Sequence, residues 1–298
     1  MMRTDLLSEF WLDRWLPSWA KPYTRLARWD RPIGVLLLLY PGLWGLTLAS
    51  PTLIPLIEIL LFIVGATLMR GAGCTYNDLI DQKFDAQVSR TATRPLPNQE
   101  ITRLQAFYFL GMQLSLSALI LFSFPKAAIQ LGFIALILIA IYPWMKRITY
   151  WPQAFLGFTF NWGVLMGWAV LNGQVSIIPI LFYGAGFFWT LCYDTIYAHQ
   201  DREDDLLLGL KSTAIVLKEK TYPVLSIFFL LMILFLVAGG YKAGLKWPYN
   251  LALSLVTGHA LWQLLHLNIN DSSLCLRLFK ANHWIGLIIF IGIVLGKL

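Results

Sequence analysis

Long apolar runs recur along most of this 298-residue sequence, and they restrict its fold more than any other feature. Lipid offers no hydrogen bonds, so a segment that spans a bilayer must pair its own backbone groups, and each run of about 20 apolar residues predicts a spanning helix. We therefore expect an all-α membrane protein with nine transmembrane helices. The runs cover residues 33–49, 53–76, 103–124, 127–145, 152–171, 175–198, 221–239, 246–267 and 281–297.

The composition supports a membrane protein. Hydrophobic residues make up 58% of the chain and charged residues only 13%, whereas a soluble domain has about a quarter of its residues charged. The runs lack the strict apolar and polar alternation of barrel strands. The net charge of +7 would suggest nucleic acid in a soluble protein. Here we expect the lipid bilayer as surroundings, no nucleic acid and no obligate protein partner.

The distribution of Lys and Arg predicts the orientation in the membrane. If the N-terminus lies inside, 19 of the 23 basic residues fall on the inner side. Cytoplasmic loops of membrane proteins carry an excess of Lys and Arg. The bias therefore predicts an inner N-terminus and an outer C-terminus. The basic residues left on the outer side are Lys126, Lys242, Lys246 and Lys297.

The first 30 residues differ from the rest of the chain. Trp11, Trp15 and Trp19 recur at every fourth position among charged residues. Such a pattern is typical of an amphipathic helix that lies in the membrane interface. We expect residues 1–30 to form an interfacial segment and residues 31–298 to form a single nine-helix transmembrane domain.

The same segment bears on cellular location. Asp5, Glu9 and Asp13 argue against a mitochondrial transit peptide, because such peptides are poor in acidic residues. We therefore expect a multi-pass protein of a bacterial inner (cytoplasmic) membrane with its site on the cytoplasmic side.

Half of the 16 acidic residues fall into two short stretches at the predicted inner ends of two spanning helices. In the first stretch, Asp78, Asp81 and Asp85 stand at i, i+3 and i+7 and so share a helical face. Like charges this close repel, and carboxylates at a membrane boundary are costly unless a positive group pairs with them. A bound cation would remove both penalties.

The second stretch repeats the pattern. Asp194, Tyr197, Asp201 and Asp205 stand at i, i+3, i+7 and i+11, and Asn77 adds a neutral oxygen to the first stretch. Oxygen ligands suit Mg²⁺, which binds through a few carboxylates plus substrate phosphates. The two stretches therefore predict a site for a diphosphate and Mg²⁺.

Positive charge is available on the same predicted side. Arg grips a phosphate or carboxylate through two parallel hydrogen bonds, and Lys acts as a point charge. The acid and base of any single pair could simply neutralise each other in a solvated loop, with no functional role. Two separate runs of carboxylates on helices favour a binding site instead. The basic candidates are Arg70, Arg94, Lys146, Arg147 and Lys211.

These residues resemble the motifs of the UbiA superfamily of membrane prenyltransferases, and within it the 4-hydroxybenzoate branch of ubiquinone synthesis. The similarity is spread over residues 31–214. Its stretches are RPIGVLLLLYP (31–41), Asn77 to Asp85 followed by SRTATRPLP (89–97), YPWMKRITYWPQ (142–153), and Asp194 to Asp205 followed by GLKSTA (209–214).

The resemblance implies nine helices around a central cavity, Mg²⁺ bound by both acidic motifs, and a polyprenyl diphosphate held through the metal ions. It also implies transfer of the polyprenyl group to the ring carbon ortho to the hydroxyl of 4-hydroxybenzoate. The implied residues are Asp78, Asp81, Asp194 and Asp201 for catalysis; Asp78, Asp81, Asp85, Asp201 and Asp205 for metal binding; and Asn77, Arg31, Arg70, Arg94, Lys146, Arg147, Tyr197 and Lys211 for substrate binding.

Several alternatives remain at this point. The carboxylate of the acceptor could be bound by Arg31, Arg70 or Arg147. Another branch of the superfamily would use homogentisate, naphthoate or haem as acceptor. A transporter is the alternative from a different class, but its acidic residues belong near the midplane, and the sequence shows no internal repeat.

Overall fold

A computed structural model describes residues 14–51, 55–87 and 91–298, and all regular secondary structure within these ranges is helical. The α-helices are α1 (Lys21–Leu26), α2 (Ile33–Ala49), α3 (Leu56–Asp85), α4 (Arg103–Phe122), α5 (Lys126–Ile148), α6 (Pro152–Phe160), α7 (Trp162–Asn172), α8 (Ile177–Ala198), α9 (Arg202–Leu207), α10 (Thr213–Leu217), α11 (Thr221–Lys242), α12 (Trp247–His266) and α13 (Ser272–Lys297).

Each of the nine predicted runs coincides with helix over most of its described residues, but the count of nine spans is not confirmed. Among the described residues, seven helical stretches are long and apolar enough to cross a membrane. Helix α2 has only 17 residues, and the 20-residue α12 is interrupted by polar side chains such as His259 and Gln263. The orientation of the termini stays a prediction. The seven stretches are Leu56–Asp85, Arg103–Phe122, Lys126–Ile148, Pro152–Asn172, Ile177–Leu207, Thr213–Lys242 and Ser272–Lys297.

Two of these stretches are longer than a bilayer requires. Helix α3 has 30 residues, and Ile177–Leu207 has 31. At 1.5 Å per residue each extends about 45 Å, whereas the hydrocarbon core is about 30 Å thick. Each acidic motif occupies one end of such a stretch, so the extra length allows the motif to lie beyond the hydrocarbon.

The predicted amphipathic helix around the tryptophans is not found in the described part of the chain. Trp15 and Trp19 are exposed, at 81% and 72%, but residues 15–20 are not helical and α1 begins at Lys21. Pro17 explains the difference, because it lacks a backbone donor and disfavours helical backbone in the residue before it. Trp11 lies outside the described residues.

The helices form two compact units. The first comprises residues up to Val35 together with Ile63–Ser123. Its core packs α1 and the loop before α4 against α3 and α4, with Leu26, Leu79, Leu96 and Phe109 buried in one cluster.

The second unit comprises Leu36–Phe62 and Phe124–Leu298. Here α2 and α7 approach so closely that a Cβ built at Gly45 would lie 2.2 Å from the carbonyl oxygen of Val164. A Cβ at Gly167 would lie 2.4 Å from the carbonyl oxygen of Gly42. Small residues permit this approach of two membrane helices, which dispersion and hydrogen bonds then stabilise.

A buried polar network joins α8, α12 and α13 in the same unit. Trp189 Nε1 donates to Asn282 Oδ1 at 3.0 Å, and Asn282 Nδ2 donates to Gln263 Oε1 at 3.0 Å. All three side chains are fully buried. Since an unpaired polar group in lipid is costly, these mutual hydrogen bonds fix how the three helices pack.

We predict that Gly167→Ala lowers the stability of the second unit by about 1–3 kcal/mol, because the new methyl group meets backbone that cannot move aside. Gly258→Ala is the matched control, since a Cβ there has no neighbour within 4 Å. Thermal unfolding in detergent measures both variants. Equal midpoints would contradict the close approach of α2 and α7.

Candidate functional site

The first acidic motif is held by two arginines in the first unit. Asp78 is buried, at 1% exposure, and both of its carboxylate oxygens lie 2.9 Å from Arg28 Nη2. Arg94 Nη1 donates to Asp78 Oδ1 at 3.2 Å and to Asp85 Oδ2 at 2.9 Å. The charges of two predicted carboxylate ligands are therefore balanced by guanidinium groups.

The loop that carries Arg94 is tied to α3 by polar side chains. Thr91 Oγ1 donates to the carbonyl oxygen of Asp85 at 2.8 Å, and Gln82 Nε2 donates to the carbonyl oxygen of Leu96 at 3.2 Å. Arg103 Nη1 donates to Gln82 Oε1 at 2.9 Å. These bonds keep the loop next to the acidic end of α3.

The remaining oxygen ligands of the motif suit a divalent cation. Asn77 Oδ1 is buried and has no hydrogen-bond partner among the described residues, and Asp81 stands one helical turn further along α3. Within the described ranges, no three His, Cys, Asp or Glu side chains gather closely enough to hold a metal ion alone. A Mg²⁺ ion here would take further oxygens from a diphosphate and from water.

Two predicted substrate-binding arginines lie near the start of α2. Arg31 Nε donates to Asp30 Oδ2 at 3.2 Å. The guanidinium of Arg70 packs against Gly34, where a Cβ would lie 2.7 Å from Arg70 Nε. Burial raises the pKa of the Asp30 carboxyl, although Arg31 and then Arg28 lower it.

The second acidic motif is built within the second unit. Asp205 in α9 is buried, and its Oδ1 lies 3.6 Å from Lys146 Nζ at the end of α5. The backbone N–H of Lys211 donates to the carbonyl oxygen of Lys146 at 2.8 Å, and Lys211 Nζ donates to the carbonyl oxygen of Ile148 at 3.0 Å. Two lysines and one carboxylate are thus brought together.

Side-chain contacts also fix the loop between α9 and α10. The N–H of Thr213 donates to Gln153 Oε1 at 3.1 Å, and the hydroxyls of Thr195 and Thr213 lie 2.9 Å apart. These contacts join the start of α6, the end of α8 and the start of α10, all of which lie in stretches that carry the family resemblance.

Other predicted residues have distinct surroundings. Asp194 lies in α8 and Asp201 in the 3₁₀ turn that follows it. The ring of Tyr197 packs on Phe279, with centroids 4.5 Å apart. The guanidinium of Arg147 lies 4.9 Å from the centre of the Trp144 ring.

Sequence reasoning missed Arg28 and Gln153. Arg28 was only one of several basic residues ahead of the first apolar run, and nothing local marks it as the partner of a carboxylate 50 positions away. Gln153 is the last residue of YPWMKRITYWPQ, one of the stretches that resemble the family, so that resemblance could have indicated it.

Comparison with known sequences connects this geometry to a family. A profile of the UbiA prenyltransferase family matches residues 38–286. The chain is 47% identical over 285 residues to a mitochondrial 4-hydroxybenzoate polyprenyltransferase of Homo sapiens, covering 95% of this chain and 77% of the relative. It is 44% identical over 292 residues to the enzyme of the same name from Arabidopsis thaliana, covering 96% and 71%.

Solved structures show the same fold. A UbiA homologue from Aeropyrum pernix K1 matches with a TM-score of 0.76 at 22% identity, covering 89% of this chain and 98% of the homologue. A UbiA homologue from Archaeoglobus fulgidus bound to GPP and Mg²⁺ matches with a TM-score of 0.72 at 19% identity, covering 93% and 98%.

The expected location in a bacterial inner membrane is wrong by this comparison, because the relatives are mitochondrial proteins of eukaryotes. The excess of Lys and Arg on one side indicates orientation and does not identify the membrane. The acidic residues that argued against a transit peptide precede the matched segment and lie outside the described residues.

We predict that Asp30→Asn stabilises the protein at neutral pH. Because burial raises the native pKa of this carboxyl, its ionisation opposes folding once the pH exceeds the native value. The gain should shrink as the pH falls and vanish below the unfolded pKa of about 3.9. Unfolding midpoints in detergent across this range measure the effect. A loss of stability at neutral pH would show that the Arg31 pair outweighs desolvation.

Proposed function

We propose that this chain, which belongs to the UbiA prenyltransferase family, transfers a polyprenyl group from polyprenyl diphosphate to the ring carbon ortho to the hydroxyl of 4-hydroxybenzoate. The reaction would be Mg²⁺-dependent and part of ubiquinone synthesis. The names of relatives that share 44–47% identity over more than nine-tenths of the chain support this acceptor. The Archaeoglobus homologue bound to GPP and Mg²⁺ supports the donor and the metal.

The observation that carries the proposal is the mixed cluster of the second motif. Asp205 offers an oxygen for a cation, and Lys146 and Lys211 offer positive charge for phosphate oxygens. The backbone bond from Lys211 to Lys146 keeps a second lysine in the same part of the second unit. Cations and carboxylates are therefore available there together, as a site for a metal ion and an anionic substrate requires.

Of the predicted metal ligands, Asp78 already accepts hydrogen bonds from Arg28 and Arg94. The residues that would hold Mg²⁺ are the others, Asp81, Asp85, Asp201 and Asp205, with Asn77 added from the first motif. Their oxygen ligands fit the ion, and the buried Oδ1 of Asn77 lacks a hydrogen-bond partner among the described residues. When bound, Mg²⁺ neutralises the diphosphate and makes it a better leaving group.

Each unit supplies its own cations for such an anion. Arg94 in the first unit, and Lys146 and Lys211 in the second, are the groups that would donate charge-assisted hydrogen bonds to a diphosphate. Negative charge on the leaving oxygen grows as the allylic C–O bond breaks, so these donors stabilise the transition state more than the bound substrate. The ring carbon forms the new C–C bond, the diphosphate departs, and loss of the ring proton restores aromaticity.

The acceptor's carboxylate would be bound by Arg31, Arg70 or Arg147. A guanidinium matches a carboxylate through two parallel hydrogen bonds. Arg31 and Arg70 belong to the first unit, with Arg70 accommodated by Gly34, and Arg147 belongs to the second, where Trp144 supports it.

A direct assay tests the reaction. Purified protein in detergent receives Mg²⁺, a polyprenyl diphosphate and one aromatic acceptor, and mass spectrometry identifies the product. We expect prenylated 4-hydroxybenzoate and at most trace product from homogentisate or a hydroxynaphthoate. Preferential prenylation of either of those acceptors would refute the proposed acceptor but retain the prenyl transfer.

We predict that Asp201→Ala lowers turnover by about 10²-fold or more, as loss of other charge-stabilising groups does. Asp204→Ala is the matched control, because this acidic residue lies in the same segment but has no proposed role. Turnover at saturating substrate and the unfolding midpoint are measured for both. Near-normal turnover of Asp201→Ala at limiting Mg²⁺ would exclude Asp201 from metal binding.

We predict that Gly34→Ala raises the KM for the aromatic acid if Arg70 binds its carboxylate, because the added methyl group displaces the guanidinium. The KM for the diphosphate should not change. Gly73→Ala is the control, since a Cβ there has no neighbour within 4 Å. If instead only Arg147→Ala or only Arg31→Ala raises the KM for the aromatic acid, that arginine binds the carboxylate of the acid.

A further inference from the structure

Arg28 occupies an unusual place in the first unit. It follows the last turn of α1 with φ of +59°, in the left-handed region where a glycine is usual. A residue other than glycine persists there only when its surroundings hold it. At Arg28 the surroundings are polar: Nη1 donates to the carbonyl oxygens of Arg25 at 2.8 Å and Leu26 at 3.3 Å.

The other end of the guanidinium holds Asp78. The side chains of Arg28 and Asp78 are only 10% and 2% exposed. Both carboxylate oxygens of Asp78 accept from Arg28 Nη2, and Oδ1 accepts from Arg94 as well. The charge of this buried carboxylate is therefore balanced by two guanidinium groups of the chain itself.

Helix geometry places Asp78 beside Asp85 and away from Asn77. Residues 78 and 85 stand two turns apart along one row of α3, and Arg94 bridges them. Residues 77 and 81 stand one turn apart on the neighbouring row. The partnerless oxygen of Asn77 belongs to that second row.

The geometry points to Arg28 as a positioning residue of the first motif: it holds Asp78 so that this carboxylate anchors Arg94 and does not bind a metal ion. The order of contacts is Arg28 to Asp78, Asp78 to Arg94, and Arg94 to Asp85. Arg28 thereby sets where Arg94 meets the diphosphate. This inference rests on the proposed function for the role of Arg94, but the pairing of Arg28 with Asp78 does not.

The inference changes the expected effect of substitutions at Asp78. Removing this carboxylate leaves a buried guanidinium without its counter-charge, which destabilises a protein far more than loss of a surface charge does. Asp78→Asn is therefore a better probe than Asp78→Ala, because the amide oxygen can still accept from Arg28.

A metal-binding measurement tests whether Asp78 holds Arg94 or binds the metal ion itself. Full-length protein in detergent is titrated with Mn²⁺ in the presence of inorganic diphosphate, and free Mn²⁺ is followed by electron paramagnetic resonance. We expect Asp81→Asn to weaken Mn²⁺ binding by more than about tenfold, since even outer-shell partners are worth that much. Arg28→Gln and Asp78→Asn should bind Mn²⁺ like the unaltered protein. Equal weakening in Asp78→Asn and Asp81→Asn would overturn the inference.

Kinetics then separate positioning from mere folding. We expect Arg28→Gln to raise the KM for polyprenyl diphosphate by about tenfold and to leave the KM for the aromatic acid unchanged, with partial rescue in Arg28→Lys. Lys21→Gln, which removes a charge from the same segment, should behave like the unaltered protein. A fall in turnover with both KM values unchanged would reduce Arg28 to a structural role.

A double-mutant cycle needs neither substrate nor metal. Unfolding midpoints are measured for Arg28→Gln, Asp78→Asn and the double variant. Each single variant leaves one charge of the pair buried without its partner, whereas the double variant removes both charges. The double variant should therefore be no less stable than the less stable single variant. Additive losses would refute the pairing. If Arg28→Gln fails to fold, a comparison of Asp78→Asn with the double variant decides the same point.

If the unaltered protein binds no Mn²⁺, the proposed function is refuted. The double-mutant cycle still tests the pairing of Arg28 with Asp78, because it needs no metal ion.

Discussion

The structure depends on the cost of placing charge at the edge of a bilayer. The proposed metal site needs carboxylates, yet lipid does not solvate them. The chain meets this constraint with helices that are longer than the hydrocarbon core, such as the 30-residue α3, and with cations beside the carboxylates. Arg28 and Arg94 balance Asp78 and Asp85, and Lys146 stands beside Asp205.

The same constraint explains the packing of the helices. Apolar residues face outward along many of them, for example Ile227, Leu230 and Leu234 in α11. Since lipid supplies no hydrophobic drive to join helices, contacts between them come from close approach and hydrogen bonds. The glycines of α2 and α7 and the Asn282 network serve this purpose in the second unit.

Much of the fold follows from the sequence because apolar length and helical periodicity are local properties. In the described residues each predicted run coincides with helix, and each acidic motif lies at the end of a long helical stretch. Two predictions are not confirmed: residues 15–20, next to Pro17, are not helical, and α12 does not reach the hydropathy of a spanning helix because polar side chains interrupt it. Contacts between distant positions have no local signal. The pairing of Arg28 with Asp78 and the packing of Arg70 on Gly34 are therefore visible only in three dimensions.

The central claim is that the carboxylates at the helix ends bind a prenyl diphosphate through a divalent cation. Calorimetric titration of the purified chain with a short prenyl diphosphate, once with Mg²⁺ and once with excess EDTA, tests it most directly. We predict saturable binding with Mg²⁺ that EDTA abolishes and that returns when Mg²⁺ is added back. Binding of the same strength in EDTA would contradict the claim, because the arginines and lysines alone would then hold the diphosphate.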